Sequence, residues 1–208
     1  MPEFVCQACG AAFSLPVEVL DRFPGWTPKR CRACRDGTRS DNGSDGAVEE
    51  NLTLAQVLDR YDRGPSDGVF TDGSADPNPG PGGWGAVYVV DGEVVDQTYG
   101  HEAHTTNNRM ELTALIAGYD LVPPGTPATV YSDSRLCVDT ITKWAPEWER
   151  RGWRRKTGPV HNLDLVRPLY ERAKARPEVR LAWIQAHAGS RWNEYADSLS
   201  TAYRRSNL

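Results

Sequence analysis

The sequence lacks any apolar run close to the roughly 20 residues that a membrane-spanning helix needs, so we expect no membrane contact. Its first residues also lack a basic stretch followed by an apolar one, and we therefore expect no secretory signal and a cytoplasmic location. Net charge is small, at −4, and by itself gives no reason to expect nucleic acid as a partner.

The small net charge hides an uneven distribution of charged residues. Acids outnumber bases over residues 40–67, whereas bases outnumber acids over residues 143–156. A concentrated basic patch can bind phosphates even on a slightly acidic chain. With 208 residues, 39% of them hydrophobic, and seven tryptophans, the chain is long enough for one ordinary domain and a small appendage.

Few cysteines are present, and four of the five form two pairs with two residues between the members of each pair. Cys6 pairs with Cys9, Cys31 pairs with Cys34, and 21 residues separate the pairs. This spacing is typical of one structural Zn²⁺ ion held by four thiolates. The alternatives are weaker, because two disulfides would need a secreted protein and a redox motif would need a strand and helix around the second pair. Residues 1–36 resemble a zinc ribbon.

The chain divides into a zinc ribbon over 1–36, a polar linker with a short helix over 37–67, and a larger α/β domain over 68–208. In the last segment, alternating apolar residues predict strands at 69–72, 85–90, 93–99, 129–132 and 179–184. Apolar residues at helical spacing and capping signals predict helices at 106–121, 134–144, 162–175 and 193–205. The residues Asp91 and Gly92 predict a tight hairpin turn between the second and third strands.

Four acidic residues lie where an outward-facing acid is not expected. Asp72 follows the apolar residues of the first strand, and Asp133 ends the fourth. Glu111 lies one turn into a helix among apolar neighbours, and Asp197 has a similar setting in the last helix. A buried carboxylate is unfavourable unless a cation or metal compensates its charge. Any single acid could be a helix cap or a surface residue, but four together indicate a shared cation site.

Five motifs, in order, resemble type 1 ribonuclease H over about residues 69–205. They are TDGS at 71–74, NPGPGG at 78–83, TTNNRME at 105–111, SDS at 132–134 and HAG…NE…AD at 187–197. The resemblance implies the family's ribonuclease H-like fold, an α/β fold with a five-stranded mixed sheet, its first three strands antiparallel and helices on both faces. It also implies an endonuclease that hydrolyses the RNA strand of RNA–DNA hybrids and leaves 5′-phosphate and 3′-hydroxyl ends.

Four carboxylates gathered at one end of a sheet repel one another and need divalent cations, and their oxygen ligands suit Mg²⁺ or Mn²⁺. Two such ions can hold the attacking and leaving oxygens of a phosphodiester displacement. The resemblance implies that the ligands are Asp72, Glu111, Asp133 and Asp197. It also implies that His187, in the loop after the last strand, assists proton transfer or product release.

The resemblance also implies the contacts to the substrate. Side-chain amides can sense the 2′-hydroxyl of RNA in a wide minor groove and can bind phosphates. The matching positions near the cut are Asn78, Asn108 and Asn193, and those expected at a phosphate of the DNA strand are Thr106 and Asn162. Arg135 stands where the family often has glutamine, and we expect it to reach nucleic acid as a phosphate contact. A basic segment, 144–156, combines tryptophans with cations expected to face the hybrid, namely Arg150, Arg151, Arg154, Arg155 and Lys156.

Two other functions compete with a nuclease for hybrids. One is a zinc-ribbon adaptor whose second domain binds nucleic acid without cutting it, but the complete set of four acids argues against this. The other is a nuclease of the same fold that cuts another duplex, such as DNA, but the asparagines and the basic segment favour hybrids. The ribbon would add phosphate contacts or recruit a protein partner, and we expect the chain to act as a monomer.

Overall fold

The computed structural model describes residues 2–6, 12–15, 17, 27–29 and 51–205. The chain forms two compact units, Met1–Glu50 and Asn51–Leu208. In the described part of the chain, no helix is both long and apolar enough to cross a membrane.

The first unit contains two short antiparallel strands, β1 (Glu3–Val5) and β2 (Ala12–Ser14). Cys6 follows β1 and is buried. The zinc site stays a prediction, because its three other expected ligands lie outside the described residues, namely Cys9, Cys31 and Cys34.

The second unit is built on a mixed five-stranded sheet. Its strands are β3 (Gly68–Ala75), β4 (Gly80–Val90), β5 (Glu93–Thr105), β6 (Ala128–Ser132) and β7 (Val179–Trp183). They lie side by side in the order β5-β4-β3-β6-β7. The first three strands of the sheet pair antiparallel, whereas β3, β6 and β7 run parallel. The predicted five-stranded mixed sheet, with its first three strands antiparallel, is therefore confirmed.

The hairpin between β4 and β5 turns where the sequence predicts it. Asp91 and Gly92 both have positive φ, at 53° and 77°, as a type I′ turn requires. Both strands are longer than predicted, and β5 continues to Thr105, which pairs with Gly80. Glycine has low intrinsic strand propensity, so the glycine-rich segment at the start of β4 gave no strand signal of its own.

Helices cover the sheet. They are α1 (Leu54–Arg60), α2 (Asn107–Leu121), α3 (Arg135–Asp139), α4 (Ala145–Arg150), α5 (Leu163–Ala175) and α6 (Arg191–Ser200). A π-helical turn, Thr140–Trp144, joins α3 to α4. In this turn the amide of Ala145 donates a hydrogen bond to the carbonyl of Thr140, five residues earlier. The helix predicted at 134–144 is therefore only partly α-helical. The helix predicted at 193–205 begins two residues earlier and ends at Ser200.

Two apolar clusters lie against the sheet. One joins α2 and α5 to it and contains Val69, Leu115, Tyr119, Val130 and Leu169. The other joins α1 and α6 to it and contains Val57, Phe70, Val87, Trp192 and Leu199. Val69 and Phe70, neighbours on β3, belong to different clusters, because successive side chains of a strand point to opposite faces of the sheet. This central strand is buried along nearly its whole length. The short helix predicted before residue 68 exists as α1 and belongs to the core of this unit.

Candidate active site

Two glycines let helices approach the central strands closely. A Cβ on Gly73 would lie 2.2 Å from the carbonyl carbon of Met110, so the absence of a side chain allows α2 to pack on β3. A Cβ on Gly85 would lie 2.4 Å from the Cβ of Leu199 on α6. Gly85 is the partner of Asp72 in the β3–β4 ladder. The two close approaches bring both helices next to Asp72, at the point of β3 where its pairing with β6 ends.

Three carboxylates meet at this end of the sheet. Asp72 lies on β3, Glu111 on α2, and Asp133 directly after β6, and one oxygen from each lies within 4.8 Å of the others. Asp72 is 7% exposed, and the other two are partly buried. Asp197 on α6 is not a member of this group of three, but its charge raises the pKa of Asp72, so it lies close by. Of the four predicted ligands, the structure therefore brings three together tightly and places the fourth beside them.

Burial raises the pKa of each of the three carboxyl groups above its ordinary value. Repulsion between the carboxylates adds to this rise. The charges of Asp197 and Asp133 raise the pKa of Asp72 further, and the charges of Asp72 and Asp133 raise that of Glu111. One oxygen of Glu111, Oε2, is buried and has no hydrogen-bond partner in the part of the chain that the structure describes. A cluster of oxygen ligands that cannot all ionise without a compensating charge fits a divalent cation.

Two side chains of α6 orient these carboxylates. The hydroxyl of Ser200 donates a hydrogen bond to Oδ2 of Asp72 at 2.5 Å, and Nδ2 of Asn193 donates one to Oδ2 of Asp133 at 3.2 Å. Asn193 is only 1% exposed, and its Oδ1 has no hydrogen-bond partner within the described residues. Its side chain thus positions Asp133, while the contact with substrate stays a prediction. Sequence reasoning missed Ser200, whose only signal is its place one turn after Asp197 on the same helix.

His187 lies in the loop between β7 and α6. It adopts a left-handed backbone conformation with φ 47°, and its side chain is 65% exposed. Nδ1 lies 3.9 Å from Oε2 of Glu194, an ion-pair distance that is too long for a hydrogen bond. Glu194, helped by Asp197 and Asp133, raises the pKa of His187 to about 9. Glu194 was not predicted, although its position three residues before Asp197 places both on one side of α6.

Asn78, one of the substrate residues predicted near the cut, lies in the loop that follows β3, and Thr106 lies at the start of α2. Asn78 is exposed, and its Oδ1 accepts a hydrogen bond from the amide of Asn107 at 3.3 Å. Oδ1 of Asn107 in turn accepts one from the amide of Ala75 at 2.6 Å. This pair of bonds fixes the loop to the first turn of α2, a role for Asn107 that the sequence did not reveal. Thr106 is the N-cap of α2, as predicted, but its side chain makes no capping hydrogen bond.

A cavity of about 430 Å³ gathers three of the predicted substrate residues, Asn108, Arg155 and Asn162. The exposed ring of Trp144 and the ring of Trp148 also line it. Asn162 precedes α5 in a left-handed conformation, with φ 51° and ψ 37°. Amide, guanidinium and aromatic groups on one concave surface suit a sugar–phosphate chain.

The basic segment is partly structural and partly exposed. Trp148 and Trp153 pack against the core, whereas Trp144 is 40% exposed. Arg154 and Arg155 form a two-residue ladder with Gly158–Pro159, and Arg154 is exposed.

Two arginines of the predicted substrate surface are held by neighbouring side chains. Arg151 pairs with Glu147 at 2.6 Å. The guanidinium of Arg135 lies 4.9 Å from the ring centre of Trp183, and its side chain is 62% exposed. Both side chains remain accessible, as a phosphate contact requires.

Comparison with known proteins assigns the same stretch of chain to one family. Residues 66–204 match the family model described as RNase H. The chain is 47% identical over 140 residues to a ribonuclease H of Methylorubrum extorquens and 42% identical over 137 residues to one of Granulibacter bethesdensis. These alignments cover 67% and 65% of this chain, and 60% and 90% of the respective relatives.

Solved structures agree with this assignment. LC9-RNase H1, described as a type 1 RNase H with the type 2 active-site motif, is 30% identical with a TM-score of 0.52. The match covers 68% of this chain and 74% of that one. A foamy viral protease–reverse transcriptase in complex with RNA/DNA hybrid has a TM-score of 0.56 over 77% of this chain and 22% of that one. At 14% identity, it shows a shared fold alone.

Proposed function

We propose that this chain, which belongs to the ribonuclease H family, is an endonuclease that hydrolyses the RNA strand of RNA–DNA hybrids. The observation that carries the proposal is the meeting of oxygens from Asp72, Glu111 and Asp133 within 4.8 Å, on elements that the family motifs mark. Their raised pKa values and the buried, unbonded oxygen of Glu111 support a cation site rather than three separate surface acids.

Two divalent ions, Mg²⁺ or Mn²⁺, held by these carboxylates with Asp197 would supply an acidified water as nucleophile and would neutralise the leaving 3′ oxygen. The chain's own contribution is to fix the ligands before the reaction. Ser200 holds Asp72, and Asn193 holds Asp133, so that neither carboxylate has to reorganise. Hydrolysis in this arrangement leaves a 5′-phosphate and a 3′-hydroxyl.

His187 acts as an auxiliary group. It is exposed beside the carboxylates and carries a proton at neutral pH, because the acids around it raise its pKa to about 9. Cations bound to the same carboxylates would lower this pKa toward neutrality. The imidazole can then give a proton to the departing oxygen or assist departure of the product.

The substrate residues divide into two groups. Asn78 and Asn108 contact the RNA strand near the cut, and the exposed side chain of Arg135 contacts a phosphate. Thr106 and Asn162 bind a phosphate of the DNA strand, and Arg151, Arg154 and Arg155 add further phosphate contacts. Asn162 and Arg155 line one cavity together with Asn108. Contacts to both strands select a hybrid, because the 2′-hydroxyl distinguishes the strand to be cut.

The first unit has a separate role, as a zinc-binding module. It binds one structural Zn²⁺ through Cys6, Cys9, Cys31 and Cys34, and it adds phosphate contacts or recruits a protein partner. The doubled cysteine pairs and the basic residues around the second pair support this role. The protein acts as a cytoplasmic monomer.

The test uses hybrids in which either the RNA or the DNA strand is labelled. With Mg²⁺ or Mn²⁺, only the RNA strand should be shortened, and its new ends should be 5′-phosphate and 3′-hydroxyl. EDTA should abolish cleavage. Cleavage that persists in EDTA, cleavage of the DNA strand, or no cleavage with either metal would contradict the proposal.

A further inference from the structure

Residues 51–64, which we name the strap, precede the part of the chain that matches the family model, since that match begins at residue 66. The strap contains α1, which starts with a capping box. The amide of Thr53 donates to Oε1 of Gln56 at 2.8 Å, and the amide of Gln56 donates to the hydroxyl of Thr53 at 3.4 Å. Such reciprocal bonds satisfy amides that a helix otherwise leaves unpaired, so the strap has a defined local structure.

The strap is part of the core. Val57 is 1% exposed and belongs to the apolar cluster that contains Trp192, Tyr195 and Leu199 of α6. The hydroxyl of Ser198, also on α6, donates to the carbonyl of Leu52 at 2.6 Å. The strap and α6 are therefore fixed to each other along their lengths.

The end of the strap meets the loop that carries His187. Arg63 and Ser190 form a parallel β-bridge, in which the amide of Arg191 donates to the carbonyl of Arg63 at 2.8 Å. The next residue, Gly64, is in close contact with the same loop, since a Cβ there would lie 2.4 Å from Oγ of Ser190. Ser190 is the last residue of the loop and the N-cap of α6.

Arg191 closes the connection from the other side. Its Nε donates to the carbonyl of Tyr61 at 2.5 Å, and its Nη2 donates to the carbonyl of Leu58 at 3.2 Å. These carbonyls lie at the C-terminal end of α1, where a cation is favourable. The guanidinium therefore holds the strap against the junction between the loop and α6.

The loop is held at both ends and exposed between them. At its start, the amide of Ile184 donates to the carbonyl of Ser132, one residue before Asp133. At its end, Ser190 is fixed by the strap, whereas residues 185–188 are exposed. The two anchors thus fix the backbone of the loop that carries His187, and the side chain of His187 adds only its ion pair with Glu194. This matters because a displacement of about 1 Å can change a rate by orders of magnitude.

We propose that the strap positions the loop of His187, and that Arg191 is the positioning residue through which it acts. The inference rests on the proposed function, in which His187 assists hydrolysis. According to this inference, the strap affects catalysis although it lies outside the residues that match the family model. It also means that the path of the chain immediately before the nuclease motifs affects the active site.

The test is a double-mutant cycle of Arg191→Gln and His187→Ala, measured as kcat and KM on labelled hybrid. Arg191→Gln should lower kcat about 10-fold, the scale seen when a residue that supports an active-site group is lost. KM should change little, because the proposed phosphate contacts lie elsewhere. In the His187→Ala background, the same substitution should have almost no further effect on kcat, since the group it positions is absent.

Arg176→Gln is the matched control. Arg176 donates to the carbonyls of Tyr119, Val122 and Pro123, so it closes the end of α2 as Arg191 closes the end of α1. It lies at the end of that helix away from Glu111. The control should lower the melting temperature without lowering kcat at a temperature where every variant is folded. If Arg191→Gln behaves like the control, or lowers kcat equally with and without His187, the inference is wrong.

A second variant and a second measurement cover the case in which Arg191→Gln does not fold. Gly64→Ala keeps the Arg191 bonds but places a methyl group against Ser190, at a backbone φ of +97°, and should produce the same loss of kcat that depends on His187. Amide hydrogen exchange over 185–190 should be faster in either variant than in the wild-type chain, and unchanged exchange would overturn the inference. This readout needs no cleavage, so failure of the wild-type chain to cut hybrid would refute the proposed function alone.

Discussion

Asp133→Asn removes one negative charge from the carboxylate cluster while keeping the shape of the side chain. The amide oxygen of the new side chain can still accept the hydrogen bond from Asn193 that now goes to Oδ2 of Asp133. We expect two opposite consequences. The variant should lose activity, and in the absence of metal it should be more stable than the wild-type chain.

The size of the stability gain follows from the geometry. Two carboxylates with oxygens 4.8 Å apart repel by about 3 kcal/mol at an effective dielectric constant of about 20, and Asp133 faces two such neighbours, Asp72 and Glu111. Partial protonation already relieves some of this repulsion, because the pKa values of all three groups are raised. We therefore expect a net gain on the order of 1 kcal/mol or more, which is roughly 2–4 °C or more in melting temperature for a domain of this size.

The gain should depend on pH with a defined sign. The folded chain binds these protons more tightly than the unfolded chain, so the metal-free protein loses stability as pH rises above about 4, the ordinary pKa of an aspartate. The advantage of Asp133→Asn should therefore be largest at neutral pH and should vanish toward pH 4.

The assay is thermal denaturation in EDTA, with cleavage measured separately in saturating Mg²⁺. Asp120→Asn is the control, because Asp120 is ion-paired with Arg172 at 2.9 Å and its loss should give no gain in stability. The cleavage rate of Asp133→Asn should fall by at least about 10², the scale lost with a transition-state stabiliser. A melting temperature no higher than that of the wild-type chain at neutral pH would refute the account of the charge cluster. A near-normal rate would show that Asp133 is not a ligand.

Three further predictions follow from the site and the fold. Mg²⁺ should bind more tightly as pH rises from 5 to 8 and should release protons on binding, because the cation and protons compete for carboxyl groups with raised pKa values. Calorimetry in two buffers of different ionisation enthalpy measures the released protons. An affinity that does not depend on pH would contradict this prediction. His187→Ala should lower kcat less than Asp133→Asn, and the reverse order in a hydrolysis assay would contradict its auxiliary role. A chain of residues 51–208 should keep the turnover of the full chain on saturating hybrid but bind hybrid with a shallower salt dependence. A chain of residues 64–208 should melt at a lower temperature than 51–208, because it lacks Val57 of the core. Equal melting temperatures of the two truncated chains would contradict the integral role of α1.

The strands and the acids were predictable because their signals are local. An apolar run that ends in an acid and a glycine places Asp72 on a buried strand, and the Asp91–Gly92 turn fixes the neighbouring hairpin. Three of the four acids predicted from these patterns do meet in space. The arrangement of the five strands into one mixed sheet was expected from the family resemblance of the five motifs, and the structure confirms it.

What the sequence could not reveal depends on contacts between distant parts of the chain. Ser200 and Asn193 look like ordinary polar residues of a helix, and only the approach of α6 to β4 brings them to the carboxylates. The spacing of apolar residues predicts α1, but it cannot show that Val57 enters the core of the nuclease unit. The π-helical turn at Thr140–Trp144 is likewise set by packing rather than by a local signal.

The most direct test of the central claim compares three labelled duplexes of one sequence: RNA–DNA hybrid, double-stranded RNA and double-stranded DNA, each with the full chain and Mg²⁺. The account predicts cleavage of the RNA strand in the hybrid and no cleavage of the other two duplexes. The reason is that one proposed binding surface contacts an RNA strand and the other contacts a DNA strand. Equal cleavage of double-stranded DNA, or binding of hybrid without any cleavage, would contradict it.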